Sequence, residues 1–157
     1  MLRDGLIMEL QTMRQFFLNS TSCLTEADSS FAPTPEMFTT AQQVGHTALT
    51  IDWFTEGAFG KGFDMNFEQQ MADIKKFTSF QQALASFEKA IERAILTVRE
   101  ASDEELMRPL PAGPIMGGAP KAVVISAMVE HTAHHRGALT VYSRLLGKVP
   151  PMPYGEM

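Results

Sequence analysis

Four long stretches of this sequence repeat apolar residues at intervals of three and four, and no segment alternates them convincingly at an interval of two. The first interval marks one face of an α-helix and the second marks a strand. The pattern therefore predicts an all-α fold built from four helices. Leu6, Ile7, Leu10, Met13 and Phe17 mark the first, expected over residues 2–27 and stopped by Asp28-Ser29-Ser30. Thr34-Pro35-Glu36 reads as the start of the second. Thr can cap a helix, Pro is tolerated at its first position, and Glu suits its positive end. Phe38, Val44, Ala48, Ile51 and Thr55 mark the inner side of that helix, which should end near Gly57. Thr78 and Gln81 read as a capping box for the third, with Phe80, Leu84, Phe87, Ile91, Ile95 and Val98 as its stripe. The fourth is expected over residues 121–146, with Gly147 as its stop.

The connections between these helices are long. In residues 57–77, Gly57, Gly60 and Gly62 loosen the chain, while Phe59, Phe63 and Phe67 can tuck it against the bundle. In residues 102–120, Pro109, Pro111, Pro114 and Pro120 with Gly113, Gly117 and Gly118 forbid a continuous helix. Such lengths predict a four-helix bundle with long crossover connections rather than tight hairpins throughout. The tail, residues 150–157, reads as extended. A chain of 157 residues that is 45 % apolar can bury one core, so residues 1–157 are read as a single domain.

A formal net charge of −5 argues against nucleic acid, which needs a basic face, and against an anionic membrane surface. The first ten residues are broken by Asp4 and Glu9 and make no secretory core. No apolar run reaches the roughly 18 residues of a spanning helix. Cys23 is the only cysteine, so neither an intrachain disulfide nor a cysteine metal cluster is available. The expected location is a reducing cytoplasm.

The four histidines all fall within helices. His46 sits near the middle of the second, and His131, His134 and His135 near the middle of the fourth. His131 and His135 are four apart and share a face on which Cβ atoms stand about 5–6 Å apart. Two imidazoles so placed can close on one ion at about 2.0–2.1 Å each. Their face also carries Val124, Met128, Ala138, Leu139 and Tyr142, so the histidines interrupt a core stripe. A lone inward histidine is commonly a core residue bonded to a carbonyl, but two on an apolar face are harder to satisfy that way. A third imidazole from a facing helix completes a three-ligand site. His134 is three residues from His131, so spacing alone leaves His134 and His135 both open. His131 is followed by Thr132, not by the Glu of the H-E-x-x-H metalloprotease motif.

The run His131-Thr132-Ala133-His134-His135-Arg136-Gly137, the ending Arg144-Leu145-Leu146-Gly147, and Gln43-Val44-Gly45-His46 resemble the DinB/YfiT-like superfamily. The tail Pro150-Pro151-Met152-Pro153-Tyr154-Gly155 resembles a DinB branch. The resemblance implies a four-helix bundle with a divalent metal on three histidines, here His46, His131 and His135, leaving His134 outside. Ala138 departs from the pattern, since many members have Gln there.

Three neutral imidazoles leave the full charge on the ion and positions open for a ligand. Such an ion lowers the pKa of a bound water to about 7 and ionises a bound thiol outright. The resemblance favours the thiol, since relatives use low-molecular-weight thiols such as bacillithiol, mycothiol or glutathione. The expected function is a metal-dependent thiol S-transferase acting on small electrophiles in detoxification or stress response. A metal-dependent hydrolase and a non-catalytic metal-binding stress protein are the alternatives. The metal is open among Zn, Ni, Fe and Cu. The expected partner is a small-molecule substrate, and the family leaves room for a homodimer.

Four weaker features complete the reading. Trp53 returns to the face of His46 seven residues on and reads either as pocket lining or, more ordinarily, as core. Gly57-Ala58-Phe59-Gly60-Lys61-Gly62 lacks the G-K-[ST] of a phosphate loop and reads as a flexible connection. Asp103-Glu104-Glu105 reads as a solvated helix start, and Cys23 as a buried small apolar residue.

Overall fold

The computed structural model describes residues 2–155. The chain forms α1 (Leu2–Thr21), α2 (Thr40–Phe59), the short α3 (Phe67–Ile74), α4 (Phe80–Glu100), the short α5 (Asp103–Met107) and α6 (Val123–Leu145). Among the described residues the only β-type pairing is an isolated bridge between Pro109 and Pro120. No described helix is long and apolar enough to cross a membrane.

The four long helices make the bundle. α2 packs against α4 and α6, and α1 packs against the same two. Consecutive long helices α1 and α2 therefore stand diagonally, as do α4 and α6, so the connections between them cross over, as expected of residues 102–120, whereas residues 57–77 join the neighbouring helices α2 and α4. Leu10 and Phe17 of α1, Val44 and Ile51 of α2, Phe87 and Ile91 of α4, and Ile125, Met128 and Leu139 of α6 fill the core. Each such side chain stabilises the fold by about 1.5–3 kcal/mol through burial. Phe17 and Phe87 meet with ring centroids 4.3 Å apart and join α1 to α4.

Several boundaries differ from the sequence expectation, each for a local reason. α1 ends at Thr21 rather than at residue 27. There the Thr21 hydroxyl donates to the Phe17 carbonyl and Ser22 to that of Asn19, the competition for backbone by which short polar side chains end helices. α2 is capped by Thr39, not Thr34. Thr39 and Gln42 form a reciprocal capping box, while residues 34–37 make a turn, so Phe38 precedes the helix. α4 is capped by Ser79, one residue after the expected Thr78. The next two amides donate to the Ser29 hydroxyl and the Glu26 carboxylate of the α1–α2 connection. α6 starts two residues later than expected and stops as expected, with Gly147 at φ 74°. Of the tail, residues 150–152 are irregular and a turn follows, while residues 156 and 157 lie outside the described part.

The connection 57–77 is more ordered than its glycines suggest. It holds α3, whose single buried residue, Ile74, leaves too faint a stripe to read from sequence. Gly57 does not loosen it. This glycine lies inside α2, and a Cβ there would come within 2.2 Å of the Phe63 ring. Gly45 accepts the Phe77 ring in the same way, again with 2.2 Å to an added Cβ. Two glycine notches thus clamp the connection onto α2, one of them beside His46.

Candidate metal centre

His46 on α2 and His131 and His135 on α6 converge where these neighbouring helices pack. They are the only group among the described residues whose ligand atoms gather as a metal would need, all within 4.8 Å of one another. His131 Nε2 lies 3.2 Å from His46 Nε2 and 3.2 Å from His135 Nε2. Nitrogens held at about 2.0–2.1 Å on a tetrahedral ion stand roughly 3.3–3.4 Å apart, so the donor set fits such an ion with small adjustment. His134 is exposed and outside the cluster, whereas His135 joins His46 and His131 in it.

A hydrogen-bond chain fixes the tautomer of His135. The Tyr142 hydroxyl donates its proton to the Phe38 carbonyl at 2.8 Å. It must therefore accept from the Gln43 amide, whose Nε2 lies 3.1 Å away. Gln43 then presents Oε1 to His135 Nδ1 at 2.5 Å, and that nitrogen must carry the proton. The lone pair of His135 is left on Nε2, facing the cluster. Such outer partners orient metal-binding histidines generally. His46 Nδ1 has the Thr50 hydroxyl at 3.5 Å, and the buried His131 Nδ1 has no protein partner.

Electrostatics favours the neutral, metal-binding form. Burial, reinforced by the neighbouring histidines, pushes His131 down to about 4 and His135 down to about 3. His46 is lowered by burial and then by His134. At neutral pH the cluster offers lone pairs rather than positive charge. A cation satisfies three facing lone pairs at once, whereas a single shared proton cannot.

A cavity of about 490 Å³ opens against His46 and His131 and is also lined by Thr50, Trp53, Phe54 and Gly62. Trp53 is therefore cavity wall, not core, and its indole N–H donates to the Asp64 carbonyl at 2.7 Å. Gly62 places the glycine-rich connection at the cavity. A larger depression of about 960 Å³ between residues 30–39 and α3 carries no histidine. Cys23 is half-buried, not buried, with its sulfur 3.5 Å from the Ser143 hydroxyl. Asp103-Glu104-Glu105 begins α5, as expected. Sequence reasoning missed Gln43 and Thr50 as partners of the histidines. Their offsets from His46, three before and four after, put them on its face and were the available signal.

A family model described as the DinB superfamily matches residues 9–139. Among solved structures, a DinB-like protein of Bacillus subtilis, YjoA, has a TM-score of 0.68 at 14% identity, covering 94% of this chain and 95% of that one. YfiT from Bacillus subtilis, described as a probable metal-dependent hydrolase with an unusual four-helix bundle topology, has a TM-score of 0.68 at 17% identity, covering 93% and 88%. A mycothiol-dependent maleylpyruvate isomerase variant has a TM-score of 0.70 at 12% identity, covering 87% of this chain and 60% of that one. At these identities the likeness is one of fold. No curated protein matches the chain.

Proposed function

The chain belongs to the DinB superfamily, and from that membership and its three converging imidazoles we propose a metal-dependent thiol S-transferase acting on small electrophiles. The observation that carries the proposal is the pair of 3.2 Å contacts that bring the Nε2 atoms of His46, His131 and His135 together. These three side chains would hold one divalent ion, and His134 would not take part. The ion would supply Lewis acidity, lowering the pKa of a coordinated thiol or water.

The rest of the chemistry falls to the protein. The hydrogen bonds of the three histidines run to one another, to Gln43 and to Thr50, and none runs to a carboxylate. A reaction that needs little help from a base suits this setting, and a thiol with intrinsic pKa of about 8.5 is such a reactant. Its sulfur would bond to the electrophile's carbon, the leaving group would depart with the bonding pair, and the thiol proton would pass to solvent. Trp53 and Phe54 would exclude water from the reacting pair. The fold likeness to a mycothiol-dependent isomerase supports thiol use.

A metal-dependent hydrolase is the second reading. It is favoured by the cavity carboxylates, one of which would have to act as base, and by the fold likeness to YfiT. Elemental analysis of protein purified without an affinity tag tests the metal. Thiol consumption and ester hydrolysis, each with and without chelator, then separate the readings. Chelator-sensitive conjugation that is lost in His131→Ala is expected. Chelator-sensitive hydrolysis alone would favour the second reading, and neither would leave a non-catalytic metal-binding protein.

A further inference from the structure

The cavity against His46 and His131 is lined by charges of one sign. Asp52, Glu56, Asp64 and Asp73 line it, and no Lys or Arg does. Two of the four are matched from outside the lining. Arg93 binds Asp52 at 2.9 and 2.6 Å, and Lys76 reaches Asp73 at 2.6 Å. The other two are bonded only by backbone amides, Glu56 by Lys61 at 3.1 Å and Asp64 by Asn66 at 2.9 Å. Two carboxylates at the cavity wall therefore have no ion-pair partner.

The aromatic part of the wall acts in the same direction. Trp53 is flanked by Phe54, Phe63 and Phe67 at ring-centroid distances of 5.0, 4.8 and 6.4 Å. The Asp64 carbonyl fixes its indole and also accepts from the Gln70 amide at 2.8 Å, so ring and acidic loop are held as one unit. Aromatic faces attract cations, most strongly where water is excluded. A cavity of about 490 Å³ suits a small ligand.

We infer that the ligand of this cavity carries a protonated amine, recognised by Glu56, Asp64 and the Trp53 ring. Its metal-seeking group, a thiol if the proposed function holds, lies at its other end. Only that second group rests on the proposed function.

Trp53 is the only tryptophan, so its fluorescence reports binding at the wall. Phenethylamine and 2-phenylethanol, matched in size and differing in charge, are titrated into the metal-loaded protein. The amine is expected to bind at least about tenfold tighter, with the preference collapsing between about 20 mM and about 0.5 M salt. The preference should vanish in Glu56→Gln/Asp64→Asn, with circular dichroism and metal content checked first. The salt arm decides the question should that variant misfold. No preference in the wild type, or one indifferent to salt and to the double substitution, overturns the inference even where thiols bind. In a parallel arm, cysteamine is set against 2-mercaptoethanol. Absence of binding by either thiol, together with a clear amine preference in the first pair, removes the thiol reading and supports the inference.

Discussion

Tyr142 has one hydroxyl proton, and its use decides the protonation of a histidine two residues removed along the hydrogen-bond chain. Because the proton goes to the Phe38 carbonyl, Gln43 is oriented with Oε1 toward His135 Nδ1. Gln43→Leu leaves that N–H without a partner and the imidazole free to turn. Metal affinity should fall about 10–100-fold, while Gln43→Glu, which keeps an acceptor, should retain most of it. Competition titration with a chromophoric chelator measures both, and equal affinities in wild type and Gln43→Leu would remove Gln43 from this role. The ligands themselves follow a sharper rule. His46→Ala, His131→Ala and His135→Ala should each abolish stoichiometric metal by elemental analysis, and His134→Ala should not. The i,i+4 pair was legible because it depends only on helical period. The choice of His135 over His134 was legible only through family resemblance, although His135 also continues the buried row Met128, Leu139 and Tyr142. Gln43 was not legible as a partner. Its role needs Tyr142 and His135, which lie 99 and 92 residues away in the chain.

At the scale of elements, periodicity located the four helices because each buries a wide stripe, and it failed at their ends. Thr34 and Thr39 both offer a cap, but only Thr39 has Gln three residues on to close the box. At α4, the partners of the first amides are Ser29 and Glu26, which sequence proximity does not suggest. The same α1–α2 connection carries Asp28, buried at 7% exposure and paired with Lys148 beyond α6. Burial alone would raise this carboxyl, but hydrogen bonds from Lys148 and Thr25 outweigh it and hold it below its ordinary 3.8. A carboxyl lowered in the folded state contributes stability that is full above its unfolded value and is lost as pH falls through the folded one. Asp28→Asn should therefore cost about 1–3 kcal/mol at pH 7, and the gap from wild type should close only below pH 3.8. Urea unfolding at a series of pH values checks this, and a gap that closes near neutrality would show another group at work. The glycine notches make a second prediction. Gly57→Ala forces a methyl into the Phe63 ring and should destabilise the fold by about 1–3 kcal/mol. Because Phe63 leans on Trp53, tryptophan fluorescence should change with it, and an unchanged spectrum with unchanged stability would mean that the ring moves freely.

At the scale of the whole molecule, the histidine cluster is a polar interruption in the seam between two helices. α2 supplies one imidazole and α6 two, while α1 packs against α6 and α4 against α2. Without a cation the three facing imidazole nitrogens are buried with only one another as partners, and burial holds His131 and His135 neutral. An ion joined to all three would cross-link α2 to α6 and thereby brace the other two helices. Such an ion binds the folded chain far better than the unfolded one, since His46 and His131 are 85 residues apart in sequence. Free ion at a hundredfold excess over its dissociation constant then adds about 2.7 kcal/mol. In a domain of this size that corresponds to a rise of about 5–10 °C in Tm. Calorimetry across a zinc or nickel titration of chelator-stripped protein measures it. The rise should grow with the logarithm of free metal above saturation, remain in His134→Ala, and disappear in His131→Ala and His135→Ala. A rise of the same size in all three variants would place the stabilising ion elsewhere on the molecule. No rise in wild type, with metal shown to be bound, would mean that the unfolded chain holds the ion as tightly as the folded one.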